Sequence, residues 1–164
     1  MKVLVAGVGN IFLGDDGFGC EVARRLSGEP LPPGVRVVDF GIRGVHLAYE
    51  VLEGYDLVVI VDATQRGGQP GTLYLIDPDA SPAGEGSPAP AVVDAHGMDP
   101  ASALELAKTL GETSAHVLVV GCEPATVEEG IGLSEPVAGA VGEAVRMIRE
   151  LIDAYSNEKP IPRR

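Results

Sequence analysis

Apolar residues along this chain fall into short unbroken runs, and glycines separate the runs. Val3-Leu4-Val5-Ala6 and Leu57-Val58-Val59-Ile60-Val61 have no polar face, which is the mark of strands in a sheet covered on both sides. Val35-Arg36-Val37-Val38 and His116 to Gly121 predict two further strands. Phe18, Val22 and Leu26 recur at helical spacing, and Gly28 is placed to stop that helix. Val45 to Leu52 predicts a second short helix, with Ala48, Val51 and Leu52 on one side. Strand, helix, strand, helix, strand is the order of a parallel sheet with right-handed crossovers.

The second half breaks the alternation. Thr72-Leu73-Tyr74-Leu75-Ile76 reads as a strand, but Gln65 to Gly71 is too short to hold a crossover helix. The strand is therefore expected antiparallel, at an edge. Residues 77–99 are rich in Pro, Gly, Ala and Ser and show no period, as expected of a functional or disordered loop. Asp99 as N-cap and Pro100 at the first position open a helix that Gly111 closes. Ser134-Glu135-Pro136 starts the last helix, whose apolar stripe is Val137, Val141, Val145, Ile148, Ile152 and Tyr155. The expectation is an α/β fold with three α/β/α layers and a five-stranded, mostly parallel sheet with one antiparallel strand. One domain is expected over residues 1–156, with a polar tail at 157–164.

Charge narrows the partners. Among 164 residues, 12 Lys and Arg stand against 24 Asp and Glu, a net charge of −12. Nucleic acid and anionic membrane surfaces both call for a basic footprint, so neither is expected as a partner. No apolar run approaches the roughly 18–20 residues of a membrane span, and Met1 to Gly7 is too short for a signal peptide. Two cysteines, Cys20 and Cys122, are too few for a disulfide framework, which predicts a cytoplasmic protein.

The chemistry concentrates where the strands end. Gly7-Val8-Gly9-Asn10-Ile11-Phe12-Leu13-Gly14-Asp15-Asp16-Gly17 begins at the carboxyl end of the first strand, where open α/β sheets bind their ligands. Phe12 stands where a dinucleotide fingerprint needs glycine, and no Walker Gly-Lys-Ser/Thr follows. Asp15 and Asp16 are carboxylates where a phosphate would want amides and positive charge. A plainer role for them is a tight turn with acidic N-capping of the first helix. Asp62 ends the third strand on the same edge, and a 2-1-3 strand order makes it a neighbour of Asp16. His96, in Asp94-Ala95-His96-Gly97, belongs to the long loop that must cross this edge. One imidazole and two carboxylates suit Ni²⁺, Zn²⁺ or Fe²⁺ and leave positions open for a guest. His46, on a helix, and His116, opening a strand, are read as structural. A cysteine nucleophile finds little support, because Cys20 sits among first-helix residues and Cys122 follows a buried strand.

At these residues the sequence resembles the hydrogenase maturation endopeptidases, which trim nickel–iron hydrogenase large subunits. Gly7-Val8-Gly9-Asn10 with Leu13-Gly14-Asp15-Asp16-Gly17 resembles the family's opening signature. Asp39-Phe40-Gly41-Ile42-Arg43-Gly44 is similar to its Asp-Gly-Gly-Thr-type turn, with Phe40 in place of the first glycine. Val61-Asp62-Ala63, His96-Gly97, Gly121-Cys122-Glu123-Pro124 and Gly132-Leu133-Ser134 follow in the family's order. The resemblance implies a five-stranded mixed sheet and removal of a C-terminal extension from the large-subunit precursor once nickel is inserted. It also implies metal contacts at Asp16, Asp62 and His96, catalytic work by Asp16 and Asp62, and substrate contact at Asp39 and Gly41. The nickel would arrive with the precursor rather than reside in the protease. Many members carry Glu where Asp16 stands; Asp is one methylene shorter, so the metal or the strand end would have to approach slightly closer here. Two other readings remain: a nickel-sensing chaperone that binds the precursor without cutting it, and a nucleotide-binding domain built on the Gly7-Gly9 turn.

Overall fold

Strand β1 (Val3–Val8) is buried at every position and lies inside the sheet. It pairs in parallel with β2 (Val35–Gly41) on one side and β3 (Leu57–Ala63) on the other. Beyond β3 lies parallel β5 (His116–Cys122), and β4 (Leu73–Ile76) runs antiparallel along it as the edge. The order β2-β1-β3-β5-β4 is the expected mixed five-stranded sheet. The computed structural model describes residues 1–78 and 100–157. Asp99, His96, the rest of 79–99 and the tail from 158 onward lie outside the described residues.

Alternation along the strands divides the core in two. Val3, Val5, Leu57, Val59 and Val61 face α1 (Phe18–Ser27) and α4 (Glu135–Asn157), meeting Phe18, Val22, Leu26 and the α4 stripe. Leu4, Ala6, Val58 and Ile60 face α2 (Gly44–Val51) and α3 (Pro100–Leu110). Every stripe residue named for α4 is buried except Tyr155, which packs partly against the same cluster. Gly28 follows the last residue of α1 at φ −88°, so it ends the helix without the left-handed turn that often accompanies a terminal glycine. No helix among the described residues is long and apolar enough to cross a membrane.

Two glycines bring α1 down onto the strand ends. A Cβ on Gly7 would lie 2.3 Å from the Gly19 carbonyl oxygen, and one on Gly19 would lie 2.0 Å from that of Val61. Helix backbone therefore rests directly on the carboxyl ends of β1 and β3. The turn that precedes α1 is carried to that same edge.

Candidate functional site

The carboxyl ends of β1, β2 and β3 each deliver an acid. After β1 the chain turns at Gly9 (φ 134°), where a Cβ would fall 1.9 Å from the Asp16 carbonyl oxygen. Asn10 then organises the turn: its Oδ1 accepts from the Phe12 N–H at 2.9 Å, while its own N–H donates to Asp16 Oδ2 at 2.7 Å. Asp16 stands half-buried in a 3-10 turn, Gly14–Gly17. At the end of β2, Asp39 Oδ1 accepts from the Gly41 N–H at 3.0 Å, and Gly41 takes φ 57°. Asp62, half-buried in β3, accepts from the Ala63 N–H at 2.8 Å.

These acids converge on Cys20. Its Sγ donates to the Gly9 carbonyl at 3.5 Å. Burial pushes the thiol pKa far up, and Asp39, Asp16 and Asp62 push it further by hydrogen bonding or charge. Cys122, fully buried, is pushed up to about 11 by burial and by the charges of Asp15 and Glu123. Both cysteines are free and neither is a thiolate near neutral pH. Among the described residues, the donors gathered at this edge are the carboxylate oxygens of Asp16, Asp39 and Asp62.

Asp15 has a different role from its neighbour, and it does not cap α1. It is fully buried and collects four hydrogen bonds from the loop between β5 and α4. Oδ2 accepts from the N–H groups of Ala125 (2.8 Å) and Thr126 (3.1 Å) and from Ser134 Oγ (2.8 Å). Oδ1 accepts from the Ser134 N–H at 2.7 Å. Burial works against its charge, but these bonds, Ser134's foremost, hold its pKa below the ordinary 3.8. Glu123, with 4% exposure, does similar work after β3. Its Oε1 accepts from Tyr74 Oη (2.7 Å) and from the N–H groups of Arg66 and Gly68, both at 2.8 Å. The Tyr74 bond leads in holding its pKa below 4.5.

Backbone pairing joins the two loops above the acids. Leu13 bridges Gly130, with Gly14 N–H to Gly130 O and Gly130 N–H to Phe12 O, both at 2.9 Å. An open cleft of about 290 Å³ lies beside them, lined by Ile11, Gly17, Cys20, Asp39, Ile131 and Leu133 among others. Of the lining residues, Ile11 and Ile131 expose 48% and 80% of their surface, and Phe12, next to Ile11 in the chain, exposes 59%. Large exposed apolar side chains grouped around a cleft mark a binding surface.

The structure thus brings Asp16, Asp39 and Asp62 to one edge, with Gly41 beside Asp39. His96 lies outside the described residues, and among those residues no three His, Cys, Asp or Glu side chains could by themselves hold a metal ion. His46 is exposed on α2. His116 sits at the opposite end of the sheet, its Nε2 3.0 Å from Asp77 Oδ2.

The α/β/α frame is shared with solved peptide hydrolases. The hydrogenase maturating endopeptidase HybD from E. coli superimposes with a TM-score of 0.79, at 27% identity over 94% of each chain. The [NiFe] hydrogenase maturation protease HycI from Thermococcus kodakarensis does so at 0.72, with 25% identity over 93% of this chain and 92% of that one. The hydrogenase expression/formation protein HupD of Rhodobacter capsulatus is 32% identical over 154 residues, covering 90% of this chain and 71% of the relative. This chain belongs to the hydrogenase maturation protease family, whose model (HycI) matches residues 20–151.

Proposed function

We propose that this peptidase removes a C-terminal extension from the precursor of a nickel–iron hydrogenase large subunit after nickel has been inserted. The observation that carries the reading is the meeting of Asp16 and Asp62 at one strand edge, around the buried Cys20 thiol and next to an open cleft. Asp16, Asp62 and His96 are the ligands offered to the nickel that the precursor brings. Hard and borderline donors of this kind suit that ion, and three of them leave room for the precursor's own ligands. Engaging it would hold the scissile peptide at the site, and the ion would act as Lewis acid toward a carbonyl or a water. With neither cysteine available as nucleophile, water attacks the peptide carbonyl directly. A carboxylate accepts the water's proton, and the departing amine takes one up. Asp39 and Gly41, at the end of β2, flank the path of the bound peptide. The two free, buried thiols suit a reducing compartment, and we place the reaction in the cytoplasm.

The test is to incubate the protein with nickel-loaded and nickel-free precursor and follow tail removal by mass. Trimming of the loaded form alone is expected; equal trimming of both would refute nickel reading. Asp62→Asn keeps the shape but not the charge and is expected to abolish trimming, with stability changed by no more than about 1 kcal/mol. Normal trimming by that variant would remove Asp62 from the site.

A further inference from the structure

Asp15 neighbours a residue proposed to engage the substrate, yet its own carboxylate is fully buried and turned toward a distant part of the chain. Its four donors come from Ala125, Thr126 and Ser134, which lie 110, 111 and 119 residues away in sequence. Its backbone joins in, since the Asp15 N–H donates to the Thr126 carbonyl at 3.0 Å. One peptide unit further on, Asp16 uses Oδ2 to hold the Asn10 N–H. The loop that Asp15 grips also carries Ile131 and Leu133, which line the cleft, and leads straight into α4.

We infer that Asp15 is a positioning residue for peptide cleavage: it fixes the loop of residues 125–134 against the 3-10 turn and so sets the place of Asp16 relative to the cleft. The inference rests on the reading of Asp16 and Asp62 as working carboxylates. Chemistry explains why an acid does this job. A carboxylate offers two oxygens with about four acceptor sites and no donor, which matches four incoming donors. An asparagine of the same shape has one acceptor oxygen. With that oxygen facing Ala125, Thr126 and Ser134 Oγ, its NH₂ meets the Ser134 N–H, donor against donor. The loop must then shift, and the turn carrying Asp16 shifts with it. A displacement near 1 Å can cost about a hundredfold in rate.

The experiment measures kcat and KM for trimming of nickel-loaded precursor by Asp15→Asn, Ser134→Ala, Ser134→Thr and Asp62→Asn, with folding checked by circular dichroism. The Asn10 amide is followed by NMR, because its N–H reports the place of Asp16 Oδ2. For folded Asp15→Asn, kcat is expected to fall at least about tenfold with KM within about threefold, and the Asn10 amide resonance should move. A role in stability alone would lower the melting temperature and leave both readouts at wild-type values, which overturns the inference. If Asp15→Asn fails to fold, Ser134 decides. Ser134→Ala removes one of the four bonds and should lower kcat, with Ser134→Thr restoring it; unchanged kcat in Ser134→Ala overturns the inference. Asp62→Asn separates the two levels. Its inactivity beside a normal Asp15→Asn defeats the Asp15 inference alone, whereas normal trimming by both defeats the reading of the site as well.

Discussion

Gly19→Ala would lift the first helix off the sheet. The added Cβ would stand 2.0 Å from the Val61 carbonyl oxygen and 2.5 Å from that of Val8. A carbon–oxygen contact needs about 3.3 Å, so the shortfall against Val61 is roughly 1.3 Å. Both obstacles are backbone of hydrogen-bonded strands, β3 and β1, and neither can turn aside as a side chain would. Helix α1 must move instead, and Phe18, Val22 and Leu26 lose part of their contact with Val3, Val5 and Val59. Overpacking of this kind costs about 1–3 kcal/mol, and opening the Phe18 and Val22 packing adds to it. The better helix propensity of alanine returns up to about 1 kcal/mol. The net expectation is a loss of about 2–4 kcal/mol, read as a lower urea midpoint at unchanged slope. Because α1 follows directly on the turn that carries Asp16, trimming by the folded fraction should fall as well. A midpoint shift corresponding to less than about 1 kcal/mol would show that the helix does not rest on the strands at this residue.

Gly139 supplies the contrast: it lies in the interior of α4 with nothing within 4 Å of an added Cβ. Gly139→Ala should stabilise by about 0.5–1 kcal/mol in the same urea titration and leave trimming unchanged. Acid should weaken the fold through Asp15 and Glu123. Both have folded-state pKa values depressed below 3.8 and 4.5, so the stability they lend is present above those values and lost as pH falls through the depressed ones. Melting temperature should therefore drop steeply below about pH 4.5, with a shallower drop in Asp15→Asn; equal slopes would show that Asp15 contributes nothing to acid sensitivity.

Local pattern made the sheet legible. The runs at Val3 and Leu57 read as strands with both faces covered, and the seven-residue link from Gln65 to Gly71, too short for a crossover helix, pointed to an edge strand antiparallel to the sheet, which β4 is against β5. The edge that gathers Asp16 and Asp62 followed from strand ends and strand order, whereas Asp39 was reached only through the resemblance of its turn. Less legible was the division of labour between Asp15 and Asp16. Adjacent acids look alike in sequence, and what separates them is a loop more than a hundred residues away. Glu123 escaped for the same reason, since its partners Arg66, Gly68 and Tyr74 come from another part of the chain. The Ser134-Glu135-Pro136 helix start was visible, but nothing local says that a buried acid from elsewhere satisfies the Ser134 N–H and hydroxyl.

A thiol ringed by acids also makes the cleft quiet toward oxidants. Peroxide, disulfides and alkylating agents react with thiolates, and Cys20 is held toward its protonated form by burial and then by Asp39, Asp16 and Asp62. Burial first and the carboxylates second disfavour the thiolate from which a sulfenic acid or a mixed disulfide would form. Oxidants and alkylating agents should therefore react with Cys20 slowly near neutral pH, and the sulfur stays a neutral wall of the cleft.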